Sequence, residues 1–521
     1  MTMRHWRRLI AIALTSALFL GLAPAASAQE LPAAPRRIPV APGVELSAGV
    51  YKGSGAGPHP LIVMPPGYST FDLLYRGAAI NLAKAGYDVV TYTPRGQWTS
   101  SGQNNLISAE DIKDVSRIID WAGAELGSDT SRVGITGISQ GSILSLMGAA
   151  ADKRIRAVAA MSAATDLGQV TLPNNTWLSQ FIDAVRLGSP VFSRVGPELQ
   201  QLIDRYEAND RSVVPEFAPT RSVDSVLGRL DANAPALLLA NSWQDSILVP
   251  GPVVSTFDKY TGPKHLLMSA GDHGSAEAPG AVGLPNEVFG TARRWFDHYL
   301  RGAANGIDGE QPVQLHPSLG GPLQGYPSWQ AAQQAADRRY LTASDKRTGD
   351  LGAAAARWTD AITGGWTVAD NGPTGVSGAG APAGLAVPVS VPLIDRRHGL
   401  VWQTEKQDVP RLVSGSPRLH VTFAPGAEDA TIFAYLYDVD GLGNGRLLTG
   451  APYTVLGTGG AARTAEFALQ PLRHTVSPGH RLVLVVDTQD QRFRSETVAG
   501  QELTFSSSTV DPSYLDIPWS R

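Results

Sequence analysis

Between residues 37 and 300, short apolar runs alternate with amphipathic stretches. Pro60-Leu61-Ile62-Val63-Met64 is apolar throughout, the pattern of a strand covered on both faces. Residues 71–85 follow as a helix closed by Gly86, and residues 87–92 as a second strand. Ser108-Ala109-Glu110-Asp111 has capping-box spacing, with Asp in the usual Glu place. It opens a helix that sets Ile112, Val115, Ile119 and Ala122 on one face. Residues 132–136, 155–161, 236–240 and 265–270 read as four more strands, and 287–300 as a closing helix. Strands alternating with helices predict a parallel α/β sheet. Between Asp166 and Leu230 the alternation stops in favour of helical and irregular sequence carrying Trp177, Phe181 and Phe192. That stretch reads as a cap inserted over the carboxyl edge of the sheet.

Beyond residue 300 the period changes. Residues 306–340 have little pattern and read as a connector. Residues 352–384 are rich in Gly, Ala and Pro and read as loops. Residues 419–423, 431–437 and 481–487 then alternate or form β-branched runs, separated by turns rich in Gly, Pro and Asp. This is the pattern of a β-sandwich or jelly roll over 341–521.

Composition sharpens the picture. Gly (55) and Pro (37) make 92 of 521 residues, about 18% against a usual level of about 12%, which suits a turn-rich β region. Lys and Arg number 43 against 47 Asp and Glu, a net charge of −4 that gives nucleic acid no electrostatic footing. With no cysteine there is no disulfide, no thiol nucleophile and no thiolate metal site. Arg4, Arg7 and Arg8 precede an uncharged, mostly apolar stretch over residues 9–23, and Ala26-Ser27-Ala28 is a small-residue cleavage site. Residues 1–28 therefore read as a signal peptide cleaved after Ala28, with Arg7-Arg8 admitting a twin-arginine variant. The stretch is short for a membrane span of about 20 residues. The mature chain, 29–521, has 40 basic against 47 acidic residues, −7, and is expected to be extracytoplasmic and not inserted in the membrane.

The candidate chemistry lies in Gly137-Ile138-Ser139-Gln140-Gly141, the chain's single G-x-S-x-G. A strand ends just before it and a helix starts just after it, the setting of a nucleophile elbow. A serine hydroxyl needs a base. Of ten histidines, His273 in Gly271-Asp272-His273-Gly274 follows the last strand, at the same sheet edge as Ser139. An acid should follow the preceding strand, which leads into Asn241-Ser242-Trp243-Gln244-Asp245. Asp245 is preferred to Asp272, whose adjacency to His273 makes their side chains diverge. The backbone N–H of Gln140 is one expected oxyanion donor. The other should come from Pro65-Pro66-Gly67-Tyr68, where the prolines have no N–H. That leaves the N–H of Gly67 or Tyr68, or the Tyr68 hydroxyl. Two further features stay open at this level. Residues 438–445, Asp-Val-Asp-Gly-Leu-Gly-Asn-Gly, read as a hairpin turn or a calcium cradle, and Trp98, Trp177 and Trp243 as core or as acyl-pocket lining.

These stretches resemble the X-Pro dipeptidyl-peptidase and cocaine-esterase family of serine hydrolases. The resemblance rests on Pro66-Gly67-Tyr68-Ser69-Thr70-Phe71-Asp72, on Thr93-Pro94-Arg95-Gly96 with Ser101-Gly102, and on Trp243-Gln244-Asp245. The closing run from Arg294 to Gly302 and Tyr435-Leu436-Tyr437-Asp438-Val439-Asp440-Gly441 extend it. The elbow departs from the family in carrying Gln140 where tyrosine is common, and the histidine loop is poorer in aromatics. The resemblance implies an α/β-hydrolase domain with a helical cap (29–305), then a C-terminal jelly roll that limits substrate size. It also implies that the Tyr68 hydroxyl serves the oxyanion hole. The expected activity is cleavage of a small ester, amide or short peptide, with no cofactor and no metal. The alternatives are an X-Pro dipeptidyl-peptidase or other aminopeptidase, and a non-catalytic protein that binds carbohydrate or envelope polymer.

Overall fold

The computed structural model describes residues 36–343, 348–370 and 388–520. The expected signal peptide lies outside the described residues. The chain forms two compact units. One holds residues 36–170 and 182–315; the other holds 171–181 and the described chain from 316 onward.

The first unit is built on nine strands: β1 (Arg36–Ala41), β2 (Val44–Tyr51), β3 (Pro60–Met64), β4 (Asp88–Tyr92), β5 (Asp129–Ile138), β6 (Ile155–Met161), β7 (Ala236–Ser242), β8 (Lys264–Ser269) and β9 (Val313–Leu315). They lie in the order β1-β2-β4-β3-β5-β6-β7-β8-β9. From β4 to β9 every pairing is parallel, and β1 and β2 add an antiparallel hairpin at one edge. Val63 on β3 pairs with Val90 on one side and Ile135 on the other, so this apolar run is the covered central strand its composition predicts. Helices α1 (Arg76–Lys84), α2 (Ala109–Leu126), α3 (Gln140–Ala151), α4 (Ser179–Phe192) and α5 (Glu287–Arg301) are the longer ones that bear on the site. The capping box at Ser108 forms in both directions with Asp111. α2 buries Ile118 where the sequence pattern points to Ile112, which is half-buried. Gly134 lets α5 lie close on β5, because a Cβ there would meet Ile62, Leu300 and Phe296 at 2.6–2.9 Å.

Three expectations change. Residues 72–75 form a 3-10 turn rather than the start of α1. The 306–340 stretch is not plain connector: Val313–Leu315 is β9, and Ala336–Leu341 pairs antiparallel with Tyr514–Pro518. Trp358–Thr363, inside the stretch expected to be looped, is a strand paired with Glu502–Ser507. The strands among these are short, with a pairing set by chain far away in sequence, so local pattern does not mark them.

The second unit is a β-sandwich around a large apolar core. Strand Ala430–Val439 is buried along its whole length. Its Ile432, Ala434 and Leu436 face a cluster with Leu419, Val421, Phe423, Phe505 and Leu515. Its Phe433, Tyr435, Tyr437 and Val439 join Val389, Val391, Val401 and Val485 on the opposite face. Residues 171–181 belong to this unit. Thr176 Oγ1 lies 2.7 Å from Thr454 Oγ1, Gln180 N donates to Arg492 O at 2.8 Å, Arg494 N donates to Trp177 O at 3.0 Å, and Trp177 is fully buried. No helix among the described residues is long and apolar enough to cross a membrane.

Candidate active site

β5 ends at Ile138 and α3 begins at Gln140, so Ser139 alone makes the turn between them. It does so at φ 60°, ψ −124°, a conformation strained for any residue with a Cβ. The turn is fixed from both sides. Ser139 N donates to Met161 O at 3.0 Å, and Ile138 N donates to the buried Tyr75 hydroxyl at 2.7 Å. The flanking glycines are required by the β3 loop, since a Cβ on Gly137 would lie 2.5 Å from Pro65 O and one on Gly141 2.1 Å from it. α3 is buried from Gln140 to Ala150, and in its first turn Ser142 N bonds back to Ser139 O at 2.9 Å, which leaves the N–H groups of Gln140 and Gly141 without a partner in the helix.

The loops after β7 and β8 bring the next two residues together. His273 Nδ1 lies 2.8 Å from Asp245 Oδ2. A carboxylate can only accept, so Nδ1 carries the proton and Nε2 keeps its lone pair. Asp245 Oδ1 is held by Ile247 N at 3.0 Å and Leu248 N at 2.7 Å. Asp272 is engaged elsewhere, accepting from Ser246 N at 2.8 Å and from the His273 backbone N at 2.7 Å. The histidine loop packs beside the elbow: a Cβ on Gly274 would lie 3.8 Å from Ile138 Cγ2. Ser139 Oγ and His273 Nε2 are not hydrogen-bonded to one another here; such contacts often close only around substrate. Burial disfavours the imidazolium, but Asp245, by charge and hydrogen bond, with Asp272 and Glu277 behind it, outweighs burial and raises the His273 pKa.

Tyr68 stands next to Gly67, whose missing Cβ would lie 3.7 Å from Ser139 Cβ. Its hydroxyl bonds to Ser189 Oγ of α4 and accepts from Asn104 Nδ2 at 3.3 Å. Ser189 gives its own proton to Val185 O, so the phenol proton goes to Ser189. Burial pushes the Tyr68 pKa up to about 12, so the group is a neutral donor at ordinary pH. Gln140 is buried, and its side-chain oxygen accepts from Gln97 Nε2 at 3.3 Å.

Comparison with known proteins places this site in a family. Residues 42–275 match the model for X-Pro dipeptidyl-peptidase (S15 family), and residues 305–515 that for the X-Pro dipeptidyl-peptidase C-terminal non-catalytic domain. The chain belongs to the X-Pro dipeptidyl-peptidase/cocaine-esterase family of serine hydrolases. A CocE/NonD family hydrolase from Staphylococcus aureus superposes with TM-score 0.71 at 15% identity, covering 93% of each chain. An aminopeptidase from a marine sediment archaeon (Thaumarchaeota archaeon) gives 0.68 at 15%, covering 95% of this chain and 98% of that one. An α-amino acid ester hydrolase gives 0.70 at 16%, covering 96% and 98%. At these identities the likeness is one of fold. An uncharacterized 31.7 kDa protein of Escherichia coli is 29% identical over 110 residues, 21% of this chain and 38% of that protein.

Within this family frame the remaining stretches find their places. Arg95, of the Arg-Gly loop, makes a buried bidentate pair with Asp114 of α2, Nε–Oδ2 2.8 Å and Nη2–Oδ1 2.7 Å. Trp177 and Trp243 are buried. Trp98 is 42% exposed, stacked 6.0 Å from Phe192 and edge-on to Phe71 at 5.4 Å. Asp440 accepts from Leu442 N and Asn444 N at 2.8 and 2.9 Å, the contacts of a hairpin turn. Among the described residues, no group of three or more His, Cys, Asp or Glu side chains could hold a metal ion.

Sequence reading missed three residues here. Tyr75 anchors the elbow strand, Ser189 holds the Tyr68 hydroxyl, and Glu277 is buried behind His273. Glu277 lies four residues past His273, and nothing in the local sequence marks it as buried.

Proposed function

We propose that this chain is an exported serine hydrolase that cleaves small esters, amides or short peptides through an acyl-enzyme. Ser139 Oγ attacks the carbonyl carbon as His273 Nε2 takes its proton. Asp245 holds the imidazole in the tautomer with Nε2 free and stabilises the imidazolium. The tetrahedral oxyanion is met by the Gln140 N–H at the start of α3 and by a donor from Gly67-Tyr68. That donor is a backbone N–H, or the Tyr68 hydroxyl once it leaves Ser189. As the intermediate collapses, the carbonyl-to-heteroatom bond breaks and Nε2–H protonates the leaving group. Water, deprotonated by Nε2, then attacks the acyl carbon, releasing the acid and Ser139.

The observation that carries the reading is the 2.8 Å His273–Asp245 contact, on loops at the carboxyl edge of the strands where Ser139 makes its strained turn. Export rests on the basic, apolar and small-residue succession in 1–28. Purified mature protein and Ser139→Ala should be compared on a short-chain p-nitrophenyl ester and an X-Pro p-nitroanilide. Serine-dependent ester cleavage alone supports an esterase or acylase. Serine-dependent anilide release that N-acetylation of the substrate blocks supports the dipeptidyl-peptidase reading. No turnover, with no fluorophosphonate labelling of Ser139, would favour a binding protein instead.

A further inference from the structure

Glu277 is fully buried and precedes the short helix Ala278–Ala281. A relay ties it to the histidine loop. Gly274 N donates to Ser162 Oγ at 2.9 Å, and Ser162 Oγ donates to Glu277 Oε1 at 3.1 Å. Ser162 follows β6 at φ 42°, with its own N–H on Ala240 O of β7 at 2.7 Å, so the network ties the end of β6 to β7 and to the loop after β8. Glu277 Oε2 is buried with no hydrogen-bond partner. The ionisable groups acting on Glu277 are His273 and Asp245, and Glu277 in turn acts on Tyr75 under the elbow. Those facing His273 are Asp245, Asp272 and Glu277. His273 is thus the group near Glu277 that can become a cation.

A buried carboxyl with an unmatched oxygen is costly to keep, and an amide or apolar side chain of the same size would fill the space at less cost. A carboxylate repays that cost where positive charge develops beside it, because a fixed charge in a dry site needs no reorganisation when the charge forms. Burial pushes the Glu277 pKa up to about 7, so it ionises in the range where the histidine works.

We propose that Glu277 is a positioning residue for His273: its carboxylate stabilises the imidazolium formed as Ser139 is acylated, and through Ser162 it fixes the Gly274 end of the histidine loop. The inference rests on the Ser139–His273–Asp245 reading. Charge and hydrogen bond are separable. Glu277→Gln keeps the volume and an acceptor for Ser162 and removes the charge. Ser162→Ala removes the relay and leaves the charge.

The experiment measures the rate constant for phosphonylation of Ser139 by a fluorophosphonate, from pH 5 to 9, in wild type and both variants, with thermal midpoints alongside. Glu277→Gln should move the acid limb to lower pH by on the order of one unit and lower the plateau about tenfold. Ser162→Ala should lower the plateau and leave the limb in place. Glu277→Asp, with its carboxylate drawn back, should shift the limb the same way by less, and stands in if the Gln variant does not fold. A folded Glu277→Gln with the wild-type limb would overturn the proposal while leaving the triad reading intact. A wild-type chain that fails to react at Ser139 would overturn both.

Discussion

Asp245→Asn tests the candidate triad most sharply, because the surrounding backbone decides which way the new amide points. Asp245 Oδ1 accepts from Ile247 N and Leu248 N, while Oδ2 faces His273 Nδ1. An asparagine that keeps both backbone bonds must present its NH2 to Nδ1. The imidazole then accepts at Nδ1 and carries its proton on Nε2, where it cannot take the Ser139 proton. Flipping the amide restores the tautomer but loses two hydrogen bonds of about 1 kcal/mol each, leaving roughly one molecule in 30 correctly set. The variant also loses the charge that balances the imidazolium, worth about 3–4 kcal/mol at a 4 Å separation and an effective dielectric near 20. Together these come to about 5–6 kcal/mol, or about 10⁴-fold in kcat. The assay is steady-state hydrolysis of a p-nitrophenyl ester, with urea unfolding to show that the fold is kept. Activity within tenfold of wild type in a folded Asp245→Asn would refute the assignment. Asp272→Asn, which alters the Ser246 contacts, should cost far less in kcat.

Other substitutions probe the surroundings. Gly141→Ala drives a Cβ to 2.1 Å from Pro65 O, a clash with backbone that cannot swing aside; a loss of about 3 kcal/mol in urea unfolding is expected, with activity lost before the fold. Asp114→Ala strands Arg95 without its buried bidentate partner, and Glu110 Oε2 at 3.7 Å is a poor substitute, so about 3 kcal/mol should be lost. Tyr68→Phe separates the two sources of the second oxyanion donor: a fall in kcat of about 10² at unchanged KM marks the hydroxyl, and a near-normal kcat marks the backbone. Because Asp245 raises the His273 pKa and the neutral imidazole is the base, kcat/KM should rise with pH through a limb centred above 6.5. A limb centred below that value would count against the assigned pair.

The legible parts of the sequence were those where local pattern and tertiary role coincide. Pro60–Met64 reads as a central strand because neighbours on both sides and cover on both faces leave no polar position. Ser139, His273 and Asp245 are candidates named from the topology, since the fold sends each loop to one edge of the sheet, and the structure brings His273 and Asp245 within 2.8 Å. The missed parts depend on distant partners. The strand Ala336–Leu341, Ala-Asp-Arg-Arg-Tyr-Leu, has no β signature of its own and is a strand because Tyr514–Pro518 lies beside it. Glu277 looks like any surface glutamate in the sequence, and only the closing of the histidine loop over Ser162 shows that it is inside.

The eleven residues 171–181 carry a consequence for how the chain matures. Their partners, Thr454, Arg492 and Arg494, lie roughly 300 residues further on, at about 5–20 residues per second some 15–60 s later in synthesis. Until then the segment lacks the hydrogen bonds to Thr454, Arg492 and Arg494 that hold it in the finished fold. Truncation near residue 340 is therefore expected to leave residues 171–181 without these contacts, and expression of 316–521 alone to lack one segment of its own compact unit. The yield of the full chain is in turn expected to depend on how this one short segment fares during that interval.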